Sequence, residues 1–527
     1  MIWLSLLLGL SGCRFDTSGP QLQLTDGGAS DRTHVFWDAA NEHLQFFDSR
    51  VDADGLSSDV GDGDAKANDA KANDGDVGDG GDGGAVNDMT SDTTPALDQS
   101  LLVNVGRLVF AEDGLLPKLR RWDSAGLSWL AGPVSPNAAL DLRWVQTQLH
   151  DDGEVLLLKG FDPDGEERTE VWQLTGGSWA EVSALRQEPS NDDLWQIRDM
   201  ALGREEESGD LLLVVGAQAK APRFATFSNG QWSSLERLPA AVSDGDVVWW
   251  VELVARPRSD ELMLLYSDKA DDLFALRWDG QAWEESSHMK LTNDLNRNED
   301  TDVVSTRAFD GAYEGDSGDL FVAFGRNGGK ELGFHSAIWS GGAWKLRPLE
   351  GVYGGHTYFV DLEADPRPGS DNIAAVFVDL GGGSERLAVG TWDGESWVGL
   401  KEYDSQIYDY DDDAHGDFPS AVGWADGTAV CVYGDEGGTL KWLSWTQSSS
   451  DWTPPSELPV LNMGKLESVL MHSQVSPQSG VVTLLSDDSQ RLFGVFFDGE
   501  QWQRTGVPAL TSQLPSNNTL PFDLDLR

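Results

Sequence analysis

A hairpin phrase that ends in Trp recurs eight times between residues 122 and 502, apolar strand-length runs lie upstream of the phrases, and one strand is left over at the C-terminus. Together these predict an all-β chain folded as a β-propeller of eight four-stranded blades, with seven as the alternative count. The closing Trp residues (129, 179, 232, 283, 344, 397, 452 and 502) fall 50, 53, 51, 61, 53, 55 and 50 residues apart, a period suited to one four-stranded unit. The 59 Gly and 22 Trp fit a turn-rich β chain and not a helical bundle. A formal charge of −52 over 527 residues repels polyphosphate and excludes nucleic acid as a partner. Two Cys cannot build a disulfide framework.

Taken in order, the chain opens on an apolar run from Ile2 to Leu10, too short to cross a bilayer and suited to the core of a secretory signal. Leu10-Ser11-Gly12-Cys13 resembles the lipobox of bacterial lipoproteins. The resemblance implies a signal peptide over residues 1–13, cleavage before Cys13, and lipidation of Cys13 as a membrane anchor. With Arg14 and no Asp after the modified residue, the outer membrane or cell surface is expected over the inner membrane.

Residues 14–100 read as an Asp/Gly-rich tether. Between Asp52 and Gly84 there are ten Asp and nine Gly, and no aromatic residue stands between Phe47 and Phe110. Such a stretch cannot bury enough apolar surface to offset its conformational entropy, and its charges repel one another. The apolar patches His34-Val35-Phe36-Trp37 and Leu44-Gln45-Phe46-Phe47 stand out as a docking strand. Gly78-Asp79-Gly80-Gly81-Asp82-Gly83 matches a dinucleotide fingerprint in pattern only, since no strand precedes it and no helix follows.

From residue 101 to 527 the repeat takes over. Asn229-Gly230 and Asp279-Gly280 are hairpin signals, because primed two-residue turns need positive φ. Runs such as 210–215, 261–266, 319–324 and 481–485 are continuous enough to be covered on both faces. More polar strands upstream, 141–145, 196–200 and 358–362, are expected innermost. The first unit has its buried strand at Leu108-Val109-Phe110 but lacks an innermost one; residues 520–527 supply it, so that the termini close the ring. The Trp-ended hairpins resemble the Asp-box of sialidase-type propellers, and the run of buried strand, loop, aromatic, turn and Trp resembles a kelch repeat. Both resemblances imply architecture only, because the Asp-box spacing and the kelch double Gly are not present at Trp278-Asp279-Gly280 and Gly216-Ala217.

Chemistry is sparse. Eight scattered His exclude a zinc-finger spacing, and no Gly-x-Ser-x-Gly elbow occurs. Gly325-Arg326-Asn327-Gly328-Gly329-Lys330 is one residue short of a phosphate loop and reads as a strand connection. Cys431 lies in an apolar strand and reads as a small packing residue. The candidate channel-facing residues are Arg143, Arg198, Glu252, Arg307 and Asp361; a sialidase-like reading would use these Arg on a carboxylate, with neighbouring acids as a glycosidase pair. Asp409, Asp411, Asp412, Asp413 and Asp417 form an acidic run that could hold calcium, against the plainer reading of a solvated loop; no other cofactor is expected. The chain is thus expected to be a monomeric, lipid-anchored, non-catalytic binding module for a protein or glycan. The alternative is a glycan-processing enzyme or lectin of sialidase-like architecture.

Overall fold

The computed structural model describes short segments within residues 14–47 (14–15, 22–25, 34–38 and 43–47) and most of the chain from 105 on. From 105 on it leaves out 113–115, 152, 187–198, 217–221, 240–247, 297–306, 328–332, 351–355, 382–383, 408–418, 459–460, 476–477, 506–508, 516–520 and 527. The chain divides into two units, Met1–Ser91 and Asp92–Arg527. In the first, Arg14–Phe15, Leu22–Thr25, His34–Asp38 and His43–Phe47 pair in that order as one antiparallel sheet, with the patch expected as a docking strand forming its last hairpin. The lipobox with Cys13 and residues 48–104 lie outside the described residues.

The second unit is the eight-bladed propeller. Blade I consists of Phe522–Asp525, Val105–Ala111, Pro117–Asp123 and Ser128–Ala131, from axis to rim. Blades II to VIII follow in chain order, with innermost strands at Asp141–His150, Met200–Arg204, Val248–Ala255, Phe309–Tyr313, His356–Ala364, Ser420–Ala425 and Leu466–Gln474. Second strands such as Leu211–Val215 and Leu262–Asp268 are buried at every position, as continuous apolar runs require when both faces are covered. Blades pack face to face; Leu212 and Val214 of blade III share a cluster with Val251 and Leu264 of blade IV.

Closure is as the sequence predicts. Phe522 lies opposite Phe110 and Leu524 opposite Leu108, both side chains fully buried, and Ala111 N donates to Pro521 O at 2.7 Å.

The expected innermost strand at 196–200 is described only at its end: Met200–Arg204 forms the innermost strand of blade III, with Asp199 outside it, and residues 187–198, Arg198 among them, fall outside the described residues. Leu202 is held there by Gln146 of blade II, which donates to its carbonyl at 3.2 Å and accepts its N–H at 3.0 Å. The hairpin tips are also of two kinds. Asn229 and Gly230 both have positive φ (52° and 77°), the primed turn expected. In Trp278-Asp279-Gly280-Gln281-Ala282-Trp283 only Gly280 does (93°), because Asp279 Oδ1 accepts the N–H groups of Gln281 and Ala282 at 2.9 and 2.8 Å and caps a four-residue loop. Asp393 and Asp498 repeat this cap.

Candidate ligand site on the ring axis

Side chains alternate along a strand, so every second residue of an innermost strand faces the axis. There they line a cavity of about 650 Å³. Arg307, just ahead of Phe309–Tyr313, donates from Nη1 to both Glu252 oxygens at 2.7 and 2.8 Å. From Nη2 it reaches Asp310 at 2.9 Å and Asp361 at 2.8 Å. Its side chain is only 6% exposed. Burial works against the charge, but the three carboxylates outweigh it and raise the guanidinium above its ordinary value. In return, burial pushes the carboxyl of Asp310 well up and that of Asp361 up, with Arg307 opposing.

The acids have a second task. Asp310 Oδ2 accepts the N–H of Leu362 at 2.7 Å, and Asp361 Oδ2 that of Val422 at 3.0 Å, each in the next blade round the ring. Asp523 and Asp525 of the closing strand do the same for Thr147 and Leu149, at 2.8 and 2.6 Å. An innermost strand has a free edge facing its neighbour, and these bonds satisfy N–H groups that would otherwise be orphaned.

Of the sequence-predicted residues, the structure brings together Glu252, Arg307 and Asp361. Arg143 is not with them: it donates to Asp141 at 2.8 Å, with its guanidinium 5.5 Å from the centre of the Phe161 ring. Arg198 and the acidic run from Asp409 to Asp417 lie outside the described residues. Among the described residues no group of three or more His, Cys, Asp or Glu is arranged to hold a metal ion. Cys431 is fully buried and burial raises its thiol well above its ordinary value, as a packing residue requires.

Sequence reasoning missed Asp310, Asp523, Asp525 and Glu363. The pairs Asp361/Glu363 and Asp523/Asp525 carry a signal in their two-residue spacing, which puts both members on one strand face. Glu363 lines the cavity, and burial together with the Asp361 charge pushes its carboxyl up to about 8. His472, also on the wall, is pushed down to about 4 by burial and is neutral at physiological pH.

Fold and cavity define the class: an eight-bladed propeller with a carboxylate-lined axial funnel. No protein-family model matches the chain, and no curated protein does. Among solved structures it is similar to the BP39L lectin from Burkholderia pseudomallei (11% identity, TM-score 0.44, covering 71% of this chain and all of that one). It is also similar to the polysaccharide lyase Uly1 (10%, TM-score 0.42, 75% and 99%) and to the SapL1 lectin in complex with alpha methyl fucoside (12%, TM-score 0.32, 62% and 99%).

Proposed function

We propose that the chain is a non-catalytic binding module that takes a polar, uncharged ligand, a glycan or a segment of another protein. Commitment of the axial charges carries the reading: Arg307 is saturated by Glu252, Asp310 and Asp361, Asp310 and Asp361 are tied to neighbouring strands, and Arg143 is engaged by Asp141, so among the described residues the Arg groups a sialidase would use on an anionic sugar are occupied. Adding a ligand carboxylate would mean displacing a buried ion pair, which is costly. The excess of acids favours a ligand that donates hydrogen bonds. Cys13 would anchor the protein in the outer membrane or at the cell surface.

A glycan array probed with the full chain tests this: binding to neutral glycans is expected, and binding confined to sialylated or uronate-bearing ones would refute it. Metabolic palmitate labelling should be lost in Cys13→Ser; labelling that persists would remove the anchor.

One observation favours the second reading, a glycan-processing enzyme. A carboxyl raised to about 8 on a cavity wall, as at Glu363, is protonated at neutral pH and is what a general acid needs. Turnover of fluorogenic glycosides, abolished in Glu363→Gln, would replace the non-catalytic reading with this one.

A further inference from the structure

A second cavity, of about 560 Å³, lies away from the axis between blades III and IV. The outer strand of blade III is interrupted beside it. That strand pairs at Gln231–Trp232, bulges after Ser233, whose N–H donates to Thr226 O at 2.8 Å while its Oγ accepts the N–H of Thr226 at 3.0 Å, and resumes at Glu236–Arg237. Beside the gap lie Trp283, 8% exposed, and half-buried Phe224, whose rings meet at 5.6 Å in an edge-to-face pair. Beneath them Trp278 is fixed by Glu205 of blade III, which accepts its indole N–H at 2.6 Å.

Blades V and VI contain the same latch: Glu314 accepts the indole N–H of Trp392 at 2.7 Å. There this chain fills the space itself. The Arg347 guanidinium sits 4.5 Å from the centre of the Trp392 ring and is held by Glu350 at 3.2 Å. Between blades III and IV the corresponding stretch carries Glu236 and Arg237, both exposed on the cavity wall and neither in an ion pair among the described residues. Asp210 and Gln281 complete the wall.

We infer that the cleft between blades III and IV is a saccharide-binding site for a neutral pyranose. The half-buried Phe224 ring offers apolar surface to the C–H face of such a ring, Asp210 and Glu236 accept from its hydroxyls, and Arg237 and Gln281 donate to its oxygens. An organic cation would suit the carboxylates but not Arg237, and a second anion would suit Arg237 but meet three acids, Glu205, Asp210 and Glu236. The inference rests on the glycan-binding form of the reading above and moves the site from the axis to the cleft.

The test titrates the full chain with methyl glycosides of glucose, galactose, mannose and fucose, followed by saturation-transfer NMR and calorimetry. Asp210→Ala and Arg237→Ala, both near the surface and outside the core, should each weaken the best glycoside by about tenfold, as expected for losing a charged hydrogen bond. Val134→Ser, at a site 86% exposed, should not change it. Binding that survives both cleft variants but is lost in Glu252→Gln overturns the cleft and leaves the glycan reading standing on the axis. Binding of arginine methyl ester where no glycoside binds overturns it in favour of a cation site. No binding of any glycoside to the unaltered chain overturns both the cleft and the glycan reading.

Discussion

Deleting residues 521–527 removes the innermost strand of blade I, and the structure sets the size of the effect. Phe522 and Leu524 are fully buried, and burying such a side chain contributes about 1.5–3 kcal/mol, so the pair represents about 3–6 kcal/mol. Ala111, Thr147 and Leu149 each lose the acceptor of a backbone N–H, at about 0.5–1.5 kcal/mol apiece where water can replace it. The sum is of the order of the whole stability of a folded domain, about 5–15 kcal/mol. The truncated chain should therefore lose most of its cooperative guanidinium transition, followed by the emission of its 22 Trp, with Trp122 of blade I among the reporters. Phe522→Ala is the milder companion, expected to cost about 3–5 kcal/mol. An unchanged midpoint in both would refute ring closure by the C-terminal strand.

Three further outcomes are expected. Arg307→Ala leaves three acids around an emptied site and should cost about 3–5 kcal/mol at pH 7, part of it regained on acidification as those acids take up protons; urea melts at pH 5 and 7 check both. Glu363 is pushed up to about 8, and Glu154 and Asp379 to about 7, in each case chiefly by burial. His472, pushed down to about 4, acts in the opposite sense below about pH 6.5, so the fall in stability as these three acids lose protons is read above it; a melting temperature that rises from pH 6.5 to 8.5 would contradict it. Gly325→Ala should cost several kcal/mol, because a Cβ there collides with the carbonyl of Thr357 in the next blade, and differential scanning calorimetry reads the loss directly.

What the sequence made legible was whatever repeats or alternates. The strand around Tyr358-Phe359-Val360-Asp361-Leu362 and the buried run at 262–266 are found where their patterns put them. The innermost strand of blade III is held at Leu202 by Gln146, 56 residues away, a contact that no local pattern encodes. Asp-Gly signalled hairpins correctly but not their length, which the Asp279 carboxylate sets by capping two N–H groups. At the axis, Glu252, Arg307 and Asp361 were nominated by strand position. That Asp310 joins them, and that Glu363 holds its proton, depend on distances and burial no local pattern encodes. The cleft between blades III and IV, beside an interrupted outer strand, was not foreseen at all.

Because the strand that shuts the toroid, Phe522–Asp525, follows every other strand of the ring in the chain, no finished ring exists on a growing chain until that strand has been made. Thr147 waits for an acceptor 376 positions downstream, and closing so long a loop costs about 5 kcal/mol of chain entropy. The seven later blades and the other three strands of blade I must therefore remain an unsealed arc until Phe522–Asp525 arrives.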